Sequence, residues 1–249
     1  MDVSGEIVAV GAAVHGFSVG DRVFGMTNTF AGGVHAELEK FHHSEIFHCP
    51  SNISMEEAST VPLAAQTALQ AIRDCCELES GQKILINGAS GGVGHFAVQI
   101  AKAMGAEVHA VCGPRNVAYV KSLGADAAYS YGDRPAAEID LAFDAVFDVF
   151  GKLTRSAFSK QLGRRGTYVS TVPKPATLWA EGLARMGVSK TSRLVRVCSR
   201  SEDLKCLKDW IEAGRVRPHL DKQYAVTQAA DAHRHIESKH TVGKICIVF

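Results

Sequence analysis

Two patterns of apolar residues divide the chain near Ser54. Before this residue, short apolar runs are interrupted by glycine, which is typical of β-strands joined by tight turns. The predicted strands there are Gly5–Gly11, Asp21–Gly25 and Val34–Glu37. After Ser54, helical stretches alternate with β-rich stretches, which indicates a parallel sheet covered by helices. The pattern therefore predicts an α/β chain with a β-rich first part.

The second part begins with a predicted helix cap. Ser54 and Glu57 stand three residues apart, the spacing at which each side chain can bond the backbone N–H of the other. The helix that starts there runs into Pro62, and a second helix is predicted over roughly 63–73. The further predicted elements are strands at Lys83–Asn87, Glu107–Val111, Ala145–Val149, Thr167–Val172 and Lys244–Val248, and a helix at Leu204–Ala213.

A glycine-rich turn separates the strand at 83–87 from an amphipathic helix. The turn contains Gly88, Ser90, Gly91, Gly92, Val93 and Gly94, and apolar residues then recur at intervals of three and four as far as Met104. Glycines let a pyrophosphate approach the backbone, and the N–H groups at the helix start meet its negative charge. The spacing is GxxGxxG rather than GxGxxG, and such turns also occur for packing alone. The strand before it and the periodic helix after it favour dinucleotide binding.

The end of the next predicted strand indicates which dinucleotide is bound. An NAD site places an acidic residue about 20 positions after the glycines, where it bonds the ribose 2′-hydroxyl. Residues 111–116 contain no carboxylate, and Arg115 offers a cation that pairs with a 2′-phosphate. Tyr131 adds a hydroxyl donor, and the alternative is that Arg115 is a solvated surface residue. We therefore predict NADPH rather than NADH.

Composition narrows the classes of partner. The chain has 249 residues with 27 basic and 26 acidic side chains, so it lacks the excess positive charge that nucleic acid or an anionic membrane surface attracts. We expect neither a membrane span nor a secretion leader, because no apolar run reaches the roughly 18 residues of a spanning helix. Seven cysteines without a CxxC pair argue against a disulfide framework. We expect a reducing, cytoplasmic compartment and a small-molecule substrate.

Several stretches together resemble the zinc-independent quinone oxidoreductase branch of the medium-chain dehydrogenase/reductase superfamily. They occur in the order of the family: Asp2–Gly11, Val19–Gly25, Pro62–Ala71, the glycine-rich turn, Lys121–Asp126 and Gly243–Ile245. Within the branch, Cys112–Asn116 and Trp179–Lys190 are most similar to chloroplast-envelope quinone oxidoreductase homologues and their bacterial and fungal relatives. The chain starts at an internal point of the family pattern, so we expect a substrate domain without its first strands.

The resemblance implies NADPH-dependent reduction of quinones or of activated alkenes such as α,β-unsaturated carbonyl compounds, by a homodimer. It implies a doubly wound Rossmann domain at 75–200, inserted into a truncated GroES-like β-barrel domain formed by 1–74 and 201–249. The resemblance also implies the residues that bind the cofactor. Thr67 would lie near the nicotinamide, and the pyrophosphate would lie at Ser90, Gly91, Gly92 and Val93, with Gly88 and Gly94 beside them. Gly113, Arg115 and Tyr131 would lie at the adenosine phosphate, and Asp148 and Gly151 would line the cleft. Lys174–Ala180 is expected to border the substrate pocket or to pack in the core or the dimer interface.

The residues argue against zinc. The zinc-bearing branch has a GHE motif where this chain has Ser4-Gly5-Glu6, and no cysteine stands between Val23 and Val34, where that branch inserts a four-cysteine lobe. The remaining candidates alternate between two faces of a strand and so do not converge on one ion: His42, His43, His48 and Cys49. No residue is predicted as the proton donor.

Three functions stay open at this stage. The first is an active NADPH-dependent reductase with a trimmed substrate domain. The second is a biosynthetic-pathway member of the fold that acts on one dedicated intermediate, with or without net redox. The third is a protein that binds the cofactor without catalysis. Consumption of NADPH with a quinone and with an enone separates the first from the third.

Overall fold

The computed structural model describes residues 1–28, 33–175, 178–179, 181–182, 186 and 192–249, without the side chains of residues 164 and 165. The chain forms two compact units. The larger unit is the continuous stretch Thr67–Arg196, and the smaller unit combines Met1–Gln66 with Val197–Phe249.

The first division between the units falls earlier than the boundary at 74/75 predicted from the sequence. The Gln66 side chain bonds two residues of the smaller unit: its Nε2 donates to Ser199 Oγ over 3.3 Å and its Oε1 accepts from the Arg200 N–H over 2.9 Å. These hydrogen bonds attach Gln66 to the smaller unit, in which the division of the chain also places it. The identity of the two units as cofactor and substrate domains stays a prediction.

The regular elements are numbered in chain order. The strands are β1 (Asp2–Glu6), β2 (Arg22–Met26), β3 (Ile46–His48), β4 (Lys83–Asn87), β5 (Glu107–Cys112), β6 (Ala127–Ser130), β7 (Phe143–Asp148), β8 (Leu162–Ser170), β9 (Ser192–Leu194), β10 (Leu220–Ala225) and β11 (Lys244–Val248). The α-helices whose bounds lie within the described residues are α1 (Met55–Ser59), α2 (Pro62–Gln70), α3 (Gly94–Ala103), α4 (Val117–Ser122), α5 (Ser201–Glu212) and α6 (Ala229–Glu237).

The larger unit is built on a six-stranded sheet in the order β6-β5-β4-β7-β8-β9. All neighbouring strands in it run parallel. Renumbered from β4, this order is the 3-2-1-4-5-6 arrangement of a Rossmann sheet. The predicted α/β fold with a Rossmann parallel sheet is thus confirmed.

The central strand β4 of this sheet is apolar over nearly its whole length because it is buried within the unit. Ile84, Leu85 and Ile86 of β4 are all fully buried, which is typical of a central parallel strand covered on both faces. On one face, Leu85 belongs to a core that includes Val146 and Phe158. The apolar stripe of α3 predicted from its spacing is buried as well.

The smaller unit contains a three-stranded antiparallel sheet, β1-β2-β3, and a parallel pair, β10-β11. The strand predicted over 5–11 is found at Asp2–Glu6 instead, since pairing with β2 covers only those residues and the chain turns away after Ile7. The strand predicted at Val34–Glu37 is wrong. Its residues 35–37 form a bend and are exposed, so no buried face favours pairing there.

The cap predicted at Ser54 is confirmed. Ser54 Oγ accepts from the Glu57 N–H over 3.2 Å, and Glu57 Oε2 accepts from the Ser54 N–H over 2.9 Å. The two contacts form a capping box at the start of α1. In the part of the chain that the structure describes, no helix is both long enough and apolar enough to cross a membrane.

The Ser54→Ala variant is expected to lower the free energy of unfolding of the smaller unit by about 1 kcal/mol, because it removes the acceptor for one N–H group of the first turn. Ser54→Asp is the matched control, since aspartate caps a helix as well as serine does. Urea unfolding of the three proteins measures the difference. Equal midpoints for the wild type and Ser54→Ala would contradict the assignment.

Candidate cofactor-binding site

The carboxyl ends of β4 and β7 meet where the order of the parallel strands reverses. Asn87, the last residue of β4, pairs with Asp148, the last residue of β7. In open α/β sheets, ligands bind in the crevice outside the carboxyl ends of the strands at such a point. The loops that follow these two strands therefore form the candidate site.

The loop after β4 presents backbone to this edge. Gly88 has a φ of 89°, a conformation that favours glycine. A Cβ atom on Gly94 would overlap the carbonyl oxygen of Gly88 and would lie 2.7 Å from Ala89 Cα. On Gly91 the nearest atom, again the oxygen of Gly88, would lie 3.6 Å away, an ordinary contact. Gly94 is therefore the glycine on which the close packing of helix and loop depends.

No side chain caps the helix that follows this loop. Val93 stands at the N-cap of α3 without a side-chain cap hydrogen bond, and no acidic residue occurs in the first turn. The partial positive charge at the helix start is thus left for an anion. Behind the loop, the ring Nδ1 of the fully buried His95 lies 3.1 Å from the carbonyl oxygen of Gly91. This arrangement of backbone and helix suits a pyrophosphate.

The ends of β5 and β6 bring the predicted phosphate-recognising residues to the same side. Asn116 Nδ2 donates to Ser90 Oγ over 3.1 Å, which joins the loop after β5 to the glycine loop. A Cβ atom on Gly113 would lie 3.6 Å from the hydroxyl oxygen of Tyr131. Arg115, on the same loop as Gly113, is exposed, and this short turn contains no acidic residue. Ser90, Gly113 and Tyr131 are therefore neighbours at one sheet edge.

Asp148 lies beneath this edge and is fully buried. Its Oδ1 accepts from Asn87 Nδ2 over 2.8 Å and from the Gly151 N–H over 3.0 Å. Its Oδ2 accepts from the Leu153 N–H over 3.2 Å and lies 3.0 Å from the Tyr168 hydroxyl. The Asp148 carboxylate therefore faces protein donors. We refer to these five residues as the Asp148 hub.

Burial, together with the nearby Asp148 carboxylate, raises the pKa of Tyr168 well above its ordinary value. The Tyr168 hydroxyl therefore keeps its proton, which is shared between two acceptors: Asp148 Oδ2 at 3.0 Å and the Leu153 carbonyl oxygen at 2.9 Å. Sequence reasoning missed Tyr168, Asn87 and Asn116. A signal existed for Asn87, because a polar residue that closes an otherwise apolar buried strand needs a partner at the sheet edge.

Gly151 and Thr67 complete the set of predicted residues. Gly151 has a φ of 65°, and a Cβ atom on it would overlap the side chain of Val172, so glycine is required there. Thr67 is buried within α2, and its position beside the nicotinamide stays a prediction. Of the segment 174–180 predicted to border the substrate, residues 176, 177 and 180 lie outside the described residues; Trp179 is 73% exposed.

The histidines and the cysteine weighed as metal ligands have other neighbours. His42 and His43 have ring centroids 4.4 Å apart, and His42 Nδ1 lies 2.7 Å from Ser44 Oγ. His48 Nε2 lies 3.0 Å from the carbonyl oxygen of Gly16. Burial raises the pKa of the Cys49 thiol to about 12. Among the described residues, no group of three or more potential ligands is placed to hold a metal ion.

Comparison with known proteins places the chain among oxidoreductases. A family model described as "Zinc-binding dehydrogenase" matches residues 123–247. The chloroplast envelope quinone oxidoreductase homolog of Arabidopsis thaliana is 32% identical over 256 residues, a match that covers 99% of this chain and 78% of the relative. The NADPH-dependent alkenal/one oxidoreductase of the same plant is 28% identical, with coverage of 99% and 62%.

A solved structure extends the similarity to the fold. The quinone oxidoreductase from Coxiella burnetii superimposes with a TM-score of 0.83 at 27% sequence identity. The match covers 100% of this chain and 78% of that protein. The similarity therefore includes both compact units.

Proposed function

The chain belongs to the quinone oxidoreductase homologues of the medium-chain dehydrogenase/reductase superfamily, and we propose that it is an NADPH-dependent reductase of quinones or of α,β-unsaturated carbonyl compounds. One observation carries the cofactor part of this proposal. The glycine loop between β4 and α3 (residues 88–93, also called the cradle) and the uncapped start of α3 lie at the same sheet edge as Arg115, which is exposed on a loop without a carboxylate. The names of the relatives support the class of acceptor.

The residues at the sheet edge fit a dinucleotide. Gly88 and Gly94 allow the loop to pack closely on the start of α3, and that helix start offers N–H groups to the pyrophosphate. Arg115 would pair with the 2′-phosphate, and the Tyr131 hydroxyl would donate to the same group. When bound, NADPH supplies the hydride for an electron-poor carbon of the acceptor. The contribution of the protein is to orient the two reactants and to exclude water.

We propose that the reaction proceeds without zinc. The histidine of the GHE motif and the four-cysteine lobe are both missing from the positions at which the zinc-bearing branch has them. The proposal includes a homodimer in which the larger unit binds the cofactor and the smaller unit supplies the surface that faces the acceptor. A quinone needs little help with protonation after it receives a hydride, so no side chain is assigned as the acid.

The decisive experiment follows the absorbance of reduced nicotinamide in the presence of the purified protein. Oxidation of NADPH by a benzoquinone or by a simple enone is expected, with NADH much less effective. Fluorescence titration measures the binding of each cofactor separately. NADPH binding without oxidation by either acceptor would refute the reductase and favour a binding protein. Turnover of another substrate without NADPH consumption would favour the non-redox alternative.

A further inference from the structure

The Asp148 hub connects three strands of the larger unit at the candidate site. Asn87 ends β4 and directly precedes the glycine loop, Tyr168 belongs to β8, and Gly151 and Leu153 lie in the loop after β7. All four donate to the carboxylate of Asp148 over 2.8–3.2 Å. The Asp148 side chain thus bonds the residue that precedes the glycine loop and two residues of the loop after β7.

The chemistry of the hub requires a carboxylate. Four donors converge on two oxygen atoms, and an ionised carboxylate offers acceptor sites to all of them. An amide of the same shape would direct its NH2 group at two of these donors. The four donors are neutral, and they stabilise the buried carboxylate by hydrogen bonding. A group that is costly to bury and is satisfied in this way indicates a role in fixing local geometry.

Next to the hub, the loop after β7 contacts the glycine loop directly. The Asn87 carbonyl oxygen accepts from the Val149 N–H over 3.0 Å, and the Val149 carbonyl oxygen accepts from Thr171 Oγ1 over 2.9 Å. The backbone nitrogen of Phe150 consequently lies 3.4 Å from where a Cβ atom on Gly88 would be. The loop after β7 therefore rests directly on the first glycine of the cradle.

We propose that Asp148 is a positioning residue for the cofactor. It holds residues 149–153 against the glycine loop in the arrangement that receives the pyrophosphate, and it makes no direct contact with the ligand. This inference rests on the proposed function, since it takes NADPH as the ligand. It replaces the direct binding role that the family resemblance implies for Asp148.

The test compares variants of the hub with a variant of the core. Asp148→Asn is expected to raise the Kd and the KM for NADPH about tenfold, since the hydrogen bonds lost are to a charged acceptor. The KM for the quinone is expected to stay unchanged. Tyr168→Phe removes one donor of four and is expected to raise the Kd for NADPH about threefold. It also keeps the inference testable if Asp148→Asn does not fold.

The matched control is Val146→Ala, a truncation in β7 at a buried core position two residues before Asp148. It is expected to lower the melting temperature at least as much as Tyr168→Phe while leaving the Kd for NADPH unchanged. An equal loss of affinity for NADPH in Val146→Ala and in the hub variants would show that Asp148 acts only by stabilising the fold, and it would overturn the inference. Normal NADPH affinity in Asp148→Asn or in Tyr168→Phe would overturn it as well. Failure of the wild type to bind NADPH would instead refute the proposed function itself.

Discussion

Replacing Gly94 by valine is expected to abolish NADPH binding while the protein remains folded. A Cβ atom at this position would overlap the Gly88 carbonyl oxygen and approach the backbone of Ala89 to 2.7 Å, so the loop has to move away from the helix. The start of α3 and the glycine loop then no longer converge on one phosphate group. We expect an increase in the Kd for NADPH of at least about 100-fold, measured by fluorescence titration.

The matched control for this variant is Gly163→Ala. Gly163 lies in β8 of the same unit, and a Cβ atom on it would have nothing within 4 Å. Its substitution is expected to leave the affinity for NADPH unchanged. Circular dichroism and thermal melting check that Gly94→Val is folded. Unaltered cofactor binding in a folded Gly94→Val protein would contradict the assignment of the glycine loop to the cofactor site.

Replacing Arg115 by alanine is expected to weaken NADPH binding about 10- to 100-fold and to leave NADH binding within about twofold of the wild type. The range corresponds to the loss of a charge-assisted hydrogen bond to a phosphate, about 1.5–3 kcal/mol. The exposed Arg134 provides the matched control, because its guanidinium lies over the Tyr129 ring, 5.9 Å from the centroid. Arg134→Ala is expected to bind both cofactors normally.

Adding Gly113→Asp to Arg115→Ala is expected to reverse the preference toward NADH. An acidic residue at the end of the second strand is what an NAD site uses to bond the ribose 2′-hydroxyl. The structure has room for it, since a Cβ atom on Gly113 would meet Tyr131 at 3.6 Å and Asn116 at 3.8 Å, both ordinary contacts. Tighter NADH than NADPH binding by the wild type would contradict the role assigned to Arg115.

The pattern of apolar residues predicted several strands of the larger unit well, because the burial of a strand determines the residue types along that strand itself. The apolar run at Lys83–Asn87 matches β4, and the run at Glu107–Val111 matches β5 except for its last residue, Cys112. Burial on both faces makes such strands almost wholly apolar, so their ends are marked by the first polar or glycine residue. The capping box at Ser54, in the smaller unit, was predicted for the same reason, since both of its residues lie within four positions of the sequence.

The parts that sequence reasoning missed depend on contacts between distant residues. Asp148 was singled out, but its partner Asn87 stands 61 positions away and Tyr168 stands 20 positions away. The order of the strands determines which polar groups meet, and the sequence of one strand does not predict which strands lie beside it. The prediction at Val34–Glu37 failed for the related reason that a short apolar run becomes a strand only where another strand pairs with it.

The discontinuity of the smaller unit has a consequence for the order of folding during synthesis. All residues of the larger unit emerge from the ribosome as one stretch, whereas the smaller unit joins Met1–Gln66 to Val197–Phe249. The Asp2 carboxylate, for example, pairs with Lys244 Nζ over 2.9 Å, across almost the whole length of the chain. Domains fold as they become available during translation, so the larger unit forms first. The two parts of the smaller unit can therefore pair fully only after β11 (Lys244–Val248) has been synthesised.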